Sequence, residues 1–427
     1  MCSESKEIYH PSETSGKMDR PLAILNACHP GAWERVGGIP LIARTVFHLN
    51  SFGIKRAILL VRTERVSEDL KKWRGNVKIE QVRVKEDIAN AMLSVTDLGQ
   101  QFVYIDAIYL IDPRLIYALT VASEPTIAYI NASDKEKQVI RAAFLKREDL
   151  HIWSKQGEAG LICQTRSLLP EDIDPFSPEV RGPVRPYFME VHSDEEARKA
   201  TSLLVRCQQN QVMDLPAQFI DPPFKNVLTR VLCNTPITPN MVTVAGLVVG
   251  IAVAWLFWHR YFLAGALTTF VVEVLDGVDG MLARTKLHYT KFGQYEGLLD
   301  YFNETSWYIA LGVGLRVTHP HPSPGYVAGL LIFSDTAENV FYALAAKWYG
   351  KSIDLFSPFD AAFRRIAGRR NIYSFIFIIG FSLGYSFETF ALVAVWAALT
   401  ASIHAVRLVQ YGRMIKNKIR QQAGAIQ

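Results

Sequence analysis

The sequence predicts two domains of different fold class: an α/β domain of the Rossmann type, followed by an all-α domain of six transmembrane helices. Residues 21–61 alternate an apolar strand, a glycine-containing turn, a helix and a second strand, which is how a βαβ unit begins. Residues 1–220 contain few long apolar runs, whereas hydrophobic stretches dominate from residue 237 onward. This change in hydropathy separates a water-exposed half of the chain from a membrane-embedded half.

Composition divides the 427 residues into five segments. The N-terminal tail is polar and lacks the apolar core of a secretory signal, so we expect the first domain to stay in the cytoplasm. The net charge of +5 is modest and does not indicate nucleic-acid binding, and the five cysteines have neither zinc-site nor disulfide-framework spacing. The predicted segments are a polar tail (1–20), the α/β domain (21–205), a linker with a juxtamembrane helix (206–236), the transmembrane domain (237–410) and a basic tail (411–427).

Six apolar segments are candidate membrane spans, although several are shorter than the roughly 20 residues that a bilayer core requires. The positive-inside bias predicts a multi-pass protein with both termini and the 276–300 connection on the cytoplasmic side. The spans are 238–257, 261–277, 301–316, 325–346, 372–387 and 389–408. The basic residues that set this orientation are Arg284, Lys286, Lys291, Lys347, Lys351, Arg364, Arg365, Arg369, Arg370, Arg413, Lys416, Lys418 and Arg420.

Carboxylates are concentrated in residues 276–304, DGVDGMLARTKLHYTKFGQYEGLLDYFNE, between two apolar runs. Each Asp near a bilayer centre costs roughly 2.5–3.5 kcal/mol on insertion scales, unless cations neutralise it. Asp276 and Asp279 fall on one helical stripe with Gly280 and Ala283, and Glu296, Asp300 and Glu304 follow at i, i+4 and i+8. Two such acidic helix edges favour a site for two divalent cations, Mg²⁺ or Mn²⁺, that also bind a diphosphate. A solvated loop with scattered acids is the alternative.

These residues resemble the signature of the CDP-alcohol phosphotransferase family, D-x2-D-G-x2-A-R-x8-G-x3-D-x3-D. The resemblance implies six transmembrane helices and a reaction in which a second alcohol displaces CMP from a CDP-linked alcohol. TPITPNMVT at 235–243 resembles the family's entry into its first span. Asn240 and Thr243 are therefore candidate nucleotide contacts, although a Thr-Pro helix start also explains them. The residues that fit the signature with its spacing intact are Asp276, Asp279, Gly280, Ala283, Arg284 and Gly293.

The second half of the signature leaves two alignments open. Deleting one residue aligns Glu296 and Asp300 with the last two acids, whereas inserting three aligns Asp300 and Glu304. We prefer the first alignment because it keeps the eight-residue spacer and Gly293. Under it, Asp300 is the general base, and Asp276, Asp279 and Glu296 are chiefly metal ligands.

The amino-terminal domain resembles a sugar-nucleotidyltransferase domain, especially in GGIPLIARTVFHLNSFGI. The strand in FVYIDAIYLIDPRLI at 102–116 resembles the one that carries the family's metal-binding aspartate, here Asp106. The order of domains resembles fusions of an inositol-phosphate cytidylyltransferase with a di-myo-inositol phosphate phosphate synthase. However, NACHPGAWER replaces the expected glycine-rich turn, Ile39 replaces the usual Lys, and Arg35 and Arg44 do not restore close backbone approach to phosphate. We therefore predict a degenerate domain kept for stability or dimer contact, with His29 as a surface loop residue.

Other charged residues have two interpretations each. Asp335, Glu338 and Glu273 lie within candidate spans, where carboxylates either act in function or pair with His404 or Arg407. The basic cluster of the fourth connection either anchors the helix in anionic headgroups or binds an acceptor's phosphate. That cluster consists of Arg364, Arg365, Arg369 and Arg370.

The sequence thus predicts an integral membrane CDP-alcohol phosphotransferase of lipid or inositol-phosphodiester biosynthesis. Its expected partners are a CDP-linked alcohol donor, an alcohol or phospho-alcohol acceptor, the lipid bilayer and a second copy of the chain in a homodimer. Two alternatives are a bifunctional enzyme that also makes its own CDP-alcohol, and a non-catalytic membrane scaffold or transporter whose acids carry ions. Neither alcohol is named by the sequence.

Overall fold

The computed structural model describes residues 20–62, 68–85, 87–95, 97–130, 139–211, 213–290, 293, 295–319 and 323–424. These residues form two compact units. The first unit contains the described residues up to Gln211 together with Thr285–Leu287. The second contains the described residues from 213 to Arg284 and from His288 onward.

The first unit is built on a seven-stranded sheet with the order β10-β8-β9-β6-β1-β4-β5. Strands β6, β1, β4 and β5 are parallel to one another, and β9 is antiparallel to both β6 and β8. The strands are β1 (Leu22–Asn26), β2 (Arg35–Val36), β3 (Ile39–Pro40), β4 (Arg56–Val61), β5 (Lys78–Arg83), β6 (Gln101–Asp106), β7 (Tyr109–Ile111), β8 (Thr126–Ala128), β9 (Ala142–Lys146), β10 (Arg166–Leu168), β11 (Phe176–Ser177), β12 (Gly182–Pro183) and β13 (Phe188–Glu190).

Helices cover both faces of this sheet because successive side chains of a strand point to opposite sides. Leu25 of β1 joins the core under α1 and α4, whereas Ile24 joins the core under α3 and α5. The predicted α/β class of this half is therefore confirmed. The helices of this unit are α1 (Leu41–Ser51), α2 (Glu68–Lys71), α3 (Ile88–Leu93), α4 (Pro113–Thr120), α5 (Arg147–Ile162) and α6 (Asp194–Cys207).

The described residues of the second unit form helices and the loops between them, with no strand. Its core is a cluster of apolar side chains from the longer helices, including Phe257, Trp307, Phe377 and Val393. The helices are α7 (Leu215–Phe219), α8 (Asp221–Cys233), α9 (Pro239–Trp258), α10 (Phe262–Thr285), α11 (Glu296–Arg316), α12 (Ser323–Tyr349), α13 (Pro358–Phe363), α14 (Arg370–Ser382) and α15 (Ser386–Gly424).

Local sequence explains where α9 begins. Thr238 has extended backbone angles, and its hydroxyl accepts a hydrogen bond from the amide of Met241, which makes Thr238 the N-cap. Pro239 follows at the first helical position, where its missing N–H costs no intrahelical hydrogen bond. The Thr-Pro start therefore fixes the position of Asn240 and Thr243 in the first turns of α9.

The six predicted spans correspond to α9, α10, α11, α12, α14 and α15, but not all of these helices could cross a bilayer by themselves. Among the described residues, three helices are long and apolar enough: Pro239–Trp258, Ser323–Tyr349 and Ser386–Asn417. The other three fall short because α10 and α11 carry several charged residues and α14 has only 13 residues. The structure thus supports a membrane protein with three clear spans, and the count of six is not confirmed.

Candidate metal and substrate site

Facing acidic edges of α10 and α11 bring three carboxylates together. Asp276 of α10 and Glu296 and Asp300 of α11 each offer an oxygen, and these atoms lie within 4.8 Å of one another. α11 begins at Glu296 rather than at residue 301, so both α11 acids belong to one continuous helix. The first turn of a helix stabilises negative charge, which suits Glu296. All three residues are partly exposed, so the cluster is accessible from outside the protein.

Asp279 lies outside this group of three mutually close carboxylates, in a more buried position on α10. It is 3% exposed, and its Oδ2 accepts a 2.6 Å hydrogen bond from the hydroxyl of Thr243 on α9. Its Oδ1 is buried and has no hydrogen-bond partner among the described residues. A buried carboxylate oxygen without a partner is costly unless a cation neutralises it. The oxygen-only donor set of Asp276, Glu296 and Asp300 is the kind that hard cations such as Mg²⁺ prefer, so these residues fit a divalent metal site.

Arg370 of α14 lies inside this acidic cluster. Its Nε lies 2.8 Å from Glu273 Oε1, and its Nη2 donates to Asp276 Oδ2 at 2.6 Å. Its Nη1 donates to Glu304 Oε1 at 2.9 Å and lies 3.7 Å from Asp300 Oδ1. One guanidinium therefore faces four carboxylates.

Charge in this region remains strongly negative in spite of Arg370. Six carboxylates lie on α10 and α11, and Arg370 contacts four of them. A surplus of negative charge in a partly buried site favours binding of further cations. The acids are Glu273, Asp276, Asp279, Glu296, Asp300 and Glu304.

The remaining signature residues surround the acids. Gly280 leaves an open surface, since an added Cβ would meet only the guanidinium of Arg284, with Nη1 at 3.5 Å. Ala283 and Arg284 are half-buried on the same helix. Asn240 is not free, because its Oδ1 accepts a 2.7 Å hydrogen bond from the hydroxyl of Thr290. Gly293 is half-buried, and its neighbours 291, 292 and 294 lie outside the described residues.

The predicted arginine cluster does not act as one group. Arg370 binds the acids, and Arg365 is exposed and donates to Gln218 Oε1 at 3.2 Å. Arg364 and Arg369 stay close to each other, and burial followed by the charge of Arg369 lowers the pKa of Arg364. Sequence reasoning missed the role of Arg370, because charge spacing alone does not reveal which arginine of a run a helix start will direct inward.

Two of these neighbouring arginines have further contacts that limit their freedom. Nη1 of Arg364 lies 3.5 Å from Asp214 Oδ2, and the guanidinium of Arg369 lies 5.3 Å from the centre of the Tyr342 ring. Arg364, at the end of α13, is thus held by the carboxylate of Asp214, and Arg369, immediately before α14, is held by an aromatic ring. This arrangement leaves hydrogen-bonding capacity for an anion.

The two carboxylates of α12, Asp335 and Glu338, each lie beside another polar side chain. Glu338 pairs with Nδ1 of His404 at 2.7 and 2.9 Å, so the His404 alternative is correct for this residue. The Arg407 alternative is wrong, because Arg407 binds Asp360 through Nε at 2.6 Å and Nη2 at 2.7 Å. Asp335 lies 3.5 Å from the amide nitrogen of Asn339.

The amino-terminal unit places Asp106 at the end of β6, directly opposite Asn26 of β1. Burial raises the pKa of the Asp106 carboxyl to about 6. The turn that follows β1 is a short 3-10 helix, Pro30–Trp33. Exposed His29 is its N-cap and accepts a hydrogen bond from the backbone amide of Gly31. An added Cβ at Gly31 would lie 2.1 Å from the carbonyl oxygen of Val191, so this glycine serves packing.

The two arginines near that turn bind backbone carbonyls. Arg44 is buried and donates to the carbonyl of Val36 at 2.9 Å. Arg35 donates to the carbonyl of Gly38 at 3.2 Å. Ile39, which stands where a Lys was expected, is 2% exposed and belongs to the apolar core.

Residues 236–404 match the family model described as CDP-alcohol phosphatidyltransferase. The matched segment contains the helices from α9 to α14 and the beginning of α15, and with them all the acids of the site. The resemblance inferred from the signature is therefore confirmed, and the helical unit contains a CDP-alcohol phosphatidyltransferase domain.

A curated relative named "Bifunctional IPC transferase and DIPP synthase", from Aquifex aeolicus (strain VF5), is 30% identical over 134 residues. The aligned part is 30% of this chain and 30% of the relative, so the match spans less than a third of either protein. That name refers to the whole relative, of which only 30% aligns with this chain.

Solved structures with low similarity cover 43% of the chain. One is HddC from Yersinia pseudotuberculosis, with 13% identity, 98% of that chain covered and a TM-score of 0.31. Another is 4-diphosphocytidyl-2C-methyl-D-erythritol synthase from Anaerococcus prevotii, with 14% identity, 97% of that chain covered and a TM-score of 0.30. At these TM-scores neither similarity supports an inference about this chain.

Proposed function

We propose that this protein is an integral membrane CDP-alcohol phosphotransferase, which transfers a substituted phosphate group from a CDP-linked alcohol to a second alcohol and releases CMP. The observation that carries this proposal is the convergence of Asp276, Glu296 and Asp300 within the segment that matches the family model. A divalent-metal site made of carboxylates beside an open glycine surface suits a diphosphate.

The proposed reaction is a displacement at phosphorus. The acceptor's hydroxyl oxygen forms a bond to the phosphorus that carries the donor alcohol, and the bond from that phosphorus to the CMP oxygen breaks. Asp300 accepts the proton of the acceptor hydroxyl, so the hydroxyl becomes a better nucleophile as the bond forms. Bound Mg²⁺ or Mn²⁺, in two sites, would neutralise the diphosphate charge and stabilise the leaving oxygen.

The chain's own residues have separate roles in this scheme. Asp276, Asp279 and Glu296 hold the metal, and Thr243 orients Asp279 through its hydrogen bond. The open surface at Gly280 supports close approach of the nucleotide to α10. We assign the other contacts to the nucleotide on the strength of the family signature: Asn240, Thr243, Ala283, Arg284 and Gly293.

An acceptor with a phosphate group would be bound by Arg364 and Arg369. Arg364 lies at the end of α13 and Arg369 immediately before α14, and neither has an ion pair with the acid cluster among the described residues. Arg guanidinium groups match phosphate geometry, so two half-buried arginines favour this use over simple anchoring in headgroups. Arg365 and Arg370 are assigned elsewhere because each is engaged by other side chains.

The amino-terminal unit is proposed to be a degenerate nucleotidyltransferase-like domain. The short 3-10 helix that replaces a glycine-rich turn, and the carbonyl contacts of Arg35 and Arg44, support this view. The rival is a bifunctional enzyme, which the name of the Aquifex relative favours. We also propose domains at 21–205 and 237–410 and a juxtamembrane helix within 206–236. The site and both termini are proposed to lie in the cytoplasm, and the protein is proposed to form a homodimer.

The test is CMP release by the purified full-length protein in Mg²⁺. CDP-inositol, CDP-glycerol and CDP-diacylglycerol serve as donors, with glycerol 3-phosphate and inositol 1-phosphate as acceptors. We expect CMP with at least one pair, and no CMP when excess chelator is present. Absence of CMP with every pair, in a protein that still binds Mn²⁺, would favour the scaffold or transporter alternative.

A further inference from the structure

Three residues at the end of α10 and just beyond it, Thr285–Leu287, belong to the amino-terminal unit rather than to the helical unit. Thr285 is fully buried. Leu287 belongs to the same buried apolar cluster as Ile39 and Ala43, which are part of the α/β core. The chain that connects the two acidic helices therefore includes a stretch packed into the α/β unit. We call Thr285–Leu287 the anchor segment.

Arg44 of α1 holds the anchor segment by its backbone. Arg44 is 3% exposed, and its Nη2 donates to the carbonyl oxygen of Thr285 at 2.6 Å and to that of Val36 at 2.9 Å. Thr285 is the last residue of α10, so its carbonyl has no partner within the helix and lies at the negative end of the helix dipole. A charged donor makes a stronger hydrogen bond than a neutral one. Arg44 therefore caps the C-terminal end of α10.

Gly37 allows the turn between β2 and β3 to approach the anchor segment closely. Its φ is +62°, and an added Cβ would lie 2.7 Å from Cγ2 of Thr285 and 3.0 Å from Nη2 of Arg44. The Gly37 amide donates to the hydroxyl of Thr201 at 2.9 Å, which fixes the turn. Gly37 and Arg44 are the two ends of the run GGIPLIAR at 37–44. This run thus has a packing use that does not depend on a nucleotide.

Leu287 holds the anchor segment in one backbone conformation. Its φ is +50°, a region that residues other than glycine adopt rarely and at a cost in free energy. Such a conformation persists only where the surrounding contacts impose it. The next residue, His288, donates its amide hydrogen to the carbonyl of Ala283 at 2.9 Å, so the chain turns immediately at the end of α10. Burial of Leu287 therefore sets the direction in which the connection leaves α10.

The connection then leads to groups of the proposed site. The hydroxyl of Thr290 donates to Asn240 Oδ1 at 2.7 Å, and Glu296 is the first residue of α11. Tyr295, the N-cap residue of α11, makes no side-chain capping hydrogen bond among the described residues. A helix end without a cap frays easily, so the first turn of α11 depends on the chain that precedes it. The position of Glu296 relative to Asp276 is therefore sensitive to how the anchor segment is held.

We propose that Arg44 is a positioning residue of the phosphotransferase site and that holding the anchor segment is the retained function of the amino-terminal unit, an inference that rests on the proposed phosphotransferase function. Arg44 touches neither metal nor substrate and acts through the backbone of Thr285. With the anchor segment held, the carboxylates of α10 and α11 keep the separation that a divalent cation requires. Groups that orient metal ligands without binding the metal themselves typically change metal affinity when they are removed.

Two substitutions release the anchor segment by different means. Arg44→Gln removes the charged donor to the Thr285 carbonyl. Gly37→Ala keeps Arg44 and places a methyl group against Cγ2 of Thr285. If Arg44→Gln does not give folded protein, Gly37→Ala alone decides.

Each substitution has a matched control in the same unit. Arg114→Gln matches Arg44→Gln, because Arg114 likewise donates to two backbone carbonyls, those of Pro175 and Val184, both at 2.9 Å, in addition to its ion pair with Asp112. Gly53→Ala matches Gly37→Ala, because Gly53 also has a positive φ, +82°, but an added Cβ would meet only Cγ of Arg20 at 3.9 Å. None of these control contacts involves the anchor segment.

The measurements use the full-length protein in detergent. Trypsin cleavage after Lys286 reports release of the anchor segment, and it should become about tenfold faster or more in Arg44→Gln and Gly37→Ala, since a hydrogen bond or a close packing contact is lost. The dissociation constant for Mn²⁺, measured by electron paramagnetic resonance, should rise about three- to tenfold in both variants. The Mg²⁺ concentration that gives half-maximal CMP release should rise by the same factor, whereas the acceptor KM should change less than about twofold.

The outcomes separate this inference from the proposed function. Unchanged cleavage after Lys286, or faster cleavage with unchanged Mn²⁺ affinity, overturns the positioning role and leaves the phosphotransferase function standing. Weaker Mn²⁺ binding in Arg114→Gln and Gly53→Ala as well would make the effect one of general stability and also overturns it. If no donor yields CMP, the proposed function fails, and Mn²⁺ affinity in the four variants still decides whether Arg44 positions the acids.

Discussion

Arg370 of α14 donates a 2.6 Å hydrogen bond to Asp276 of α10, although 94 residues separate the two in the chain. The same guanidinium also lies 2.8 Å from Glu273. Arg370 therefore neutralises part of a carboxylate cluster that divalent cations are proposed to share. Its contribution to stability should depend on whether a metal ion is present.

Arg370→Gln should lower the melting temperature of the detergent-solubilised protein, and the decrease should be larger in EDTA than in Mg²⁺. Removing one partner from a buried ionic cluster costs about 3–5 kcal/mol, because the remaining charges lose their compensation. A bound divalent cation would replace that compensation. The measurement is thermal unfolding in both buffers, with exposed Arg365→Gln as the control. An equal decrease in both buffers would contradict a metal site beside Arg370.

Asp279→Asn should abolish CMP release without preventing membrane insertion. The substitution removes one charged ligand but keeps a side-chain oxygen. That oxygen can accept the hydrogen bond that the Thr243 hydroxyl now donates to Asp279 Oδ2 at 2.6 Å. Since a carboxylate in a partly buried site is worth far more to a divalent cation than an amide, the metal should be lost while the fold is kept. Turnover and membrane fractionation are measured together. Undiminished turnover in this variant, or in excess chelator, would remove the proposed site.

Glu296→Gln should damage activity far more than Glu304→Gln. Glu296 shares the cluster with Asp276 and Asp300, whereas Glu304 accepts a hydrogen bond from Arg370 and is not among the three mutually close carboxylates. The two substitutions are chemically identical and lie on the same helix, so each controls for the other. If Glu304→Gln were the more damaging change, the insertion alignment would be favoured and the general base would move to Glu304.

Much of the fold follows from local patterns in the sequence. The α/β unit was predictable because the alternation of strands and helices at 21–61 is set by backbone geometry and burial. The acidic stripe of α10 was predictable because residues three and four apart share a helix face. Both are consequences of short-range periodicity.

The contacts of α14 could not be predicted in the same way. Four arginines lie within seven residues, 364–370, and the sequence treats them alike. Only the tertiary packing directs Arg370 to the acids, Arg369 over the Tyr342 ring and Arg365 outward. Likewise, the choice between His404 and Arg407 as the partner of Glu338 depends on how α12 and α15 pack. The two residues are three positions apart on α15 and therefore share one helix face.

Asp106→Asn should stabilise the amino-terminal unit at neutral pH and have little effect near pH 4. Because burial raises the pKa of Asp106 to about 6, the folded state holds this proton more tightly than the unfolded chain, and stability falls as the pH rises from about 4 to about 6. Above that window, ionisation of the buried carboxylate lowers the free energy of unfolding by up to ~3 kcal/mol. Asn cannot ionise and therefore avoids this loss. Urea unfolding at pH 4 and pH 7.5 in EDTA measures the difference. Equal stability of the two proteins at both pH values would contradict this account.

Residues 1–220, expressed alone, should fold as a soluble α/β domain and release no pyrophosphate from CTP with inositol phosphate or glycerol phosphate. A working cytidylyltransferase must bring backbone N–H groups and a basic side chain to the triphosphate. Here the turn is a short 3-10 helix whose Gly31 is packed against the Val191 carbonyl, and Arg44 is buried on backbone carbonyls. Asp106 alone cannot supply these contacts. The full-length protein should accordingly need preformed CDP-alcohol, and robust pyrophosphate release by the isolated domain would establish a bifunctional enzyme instead.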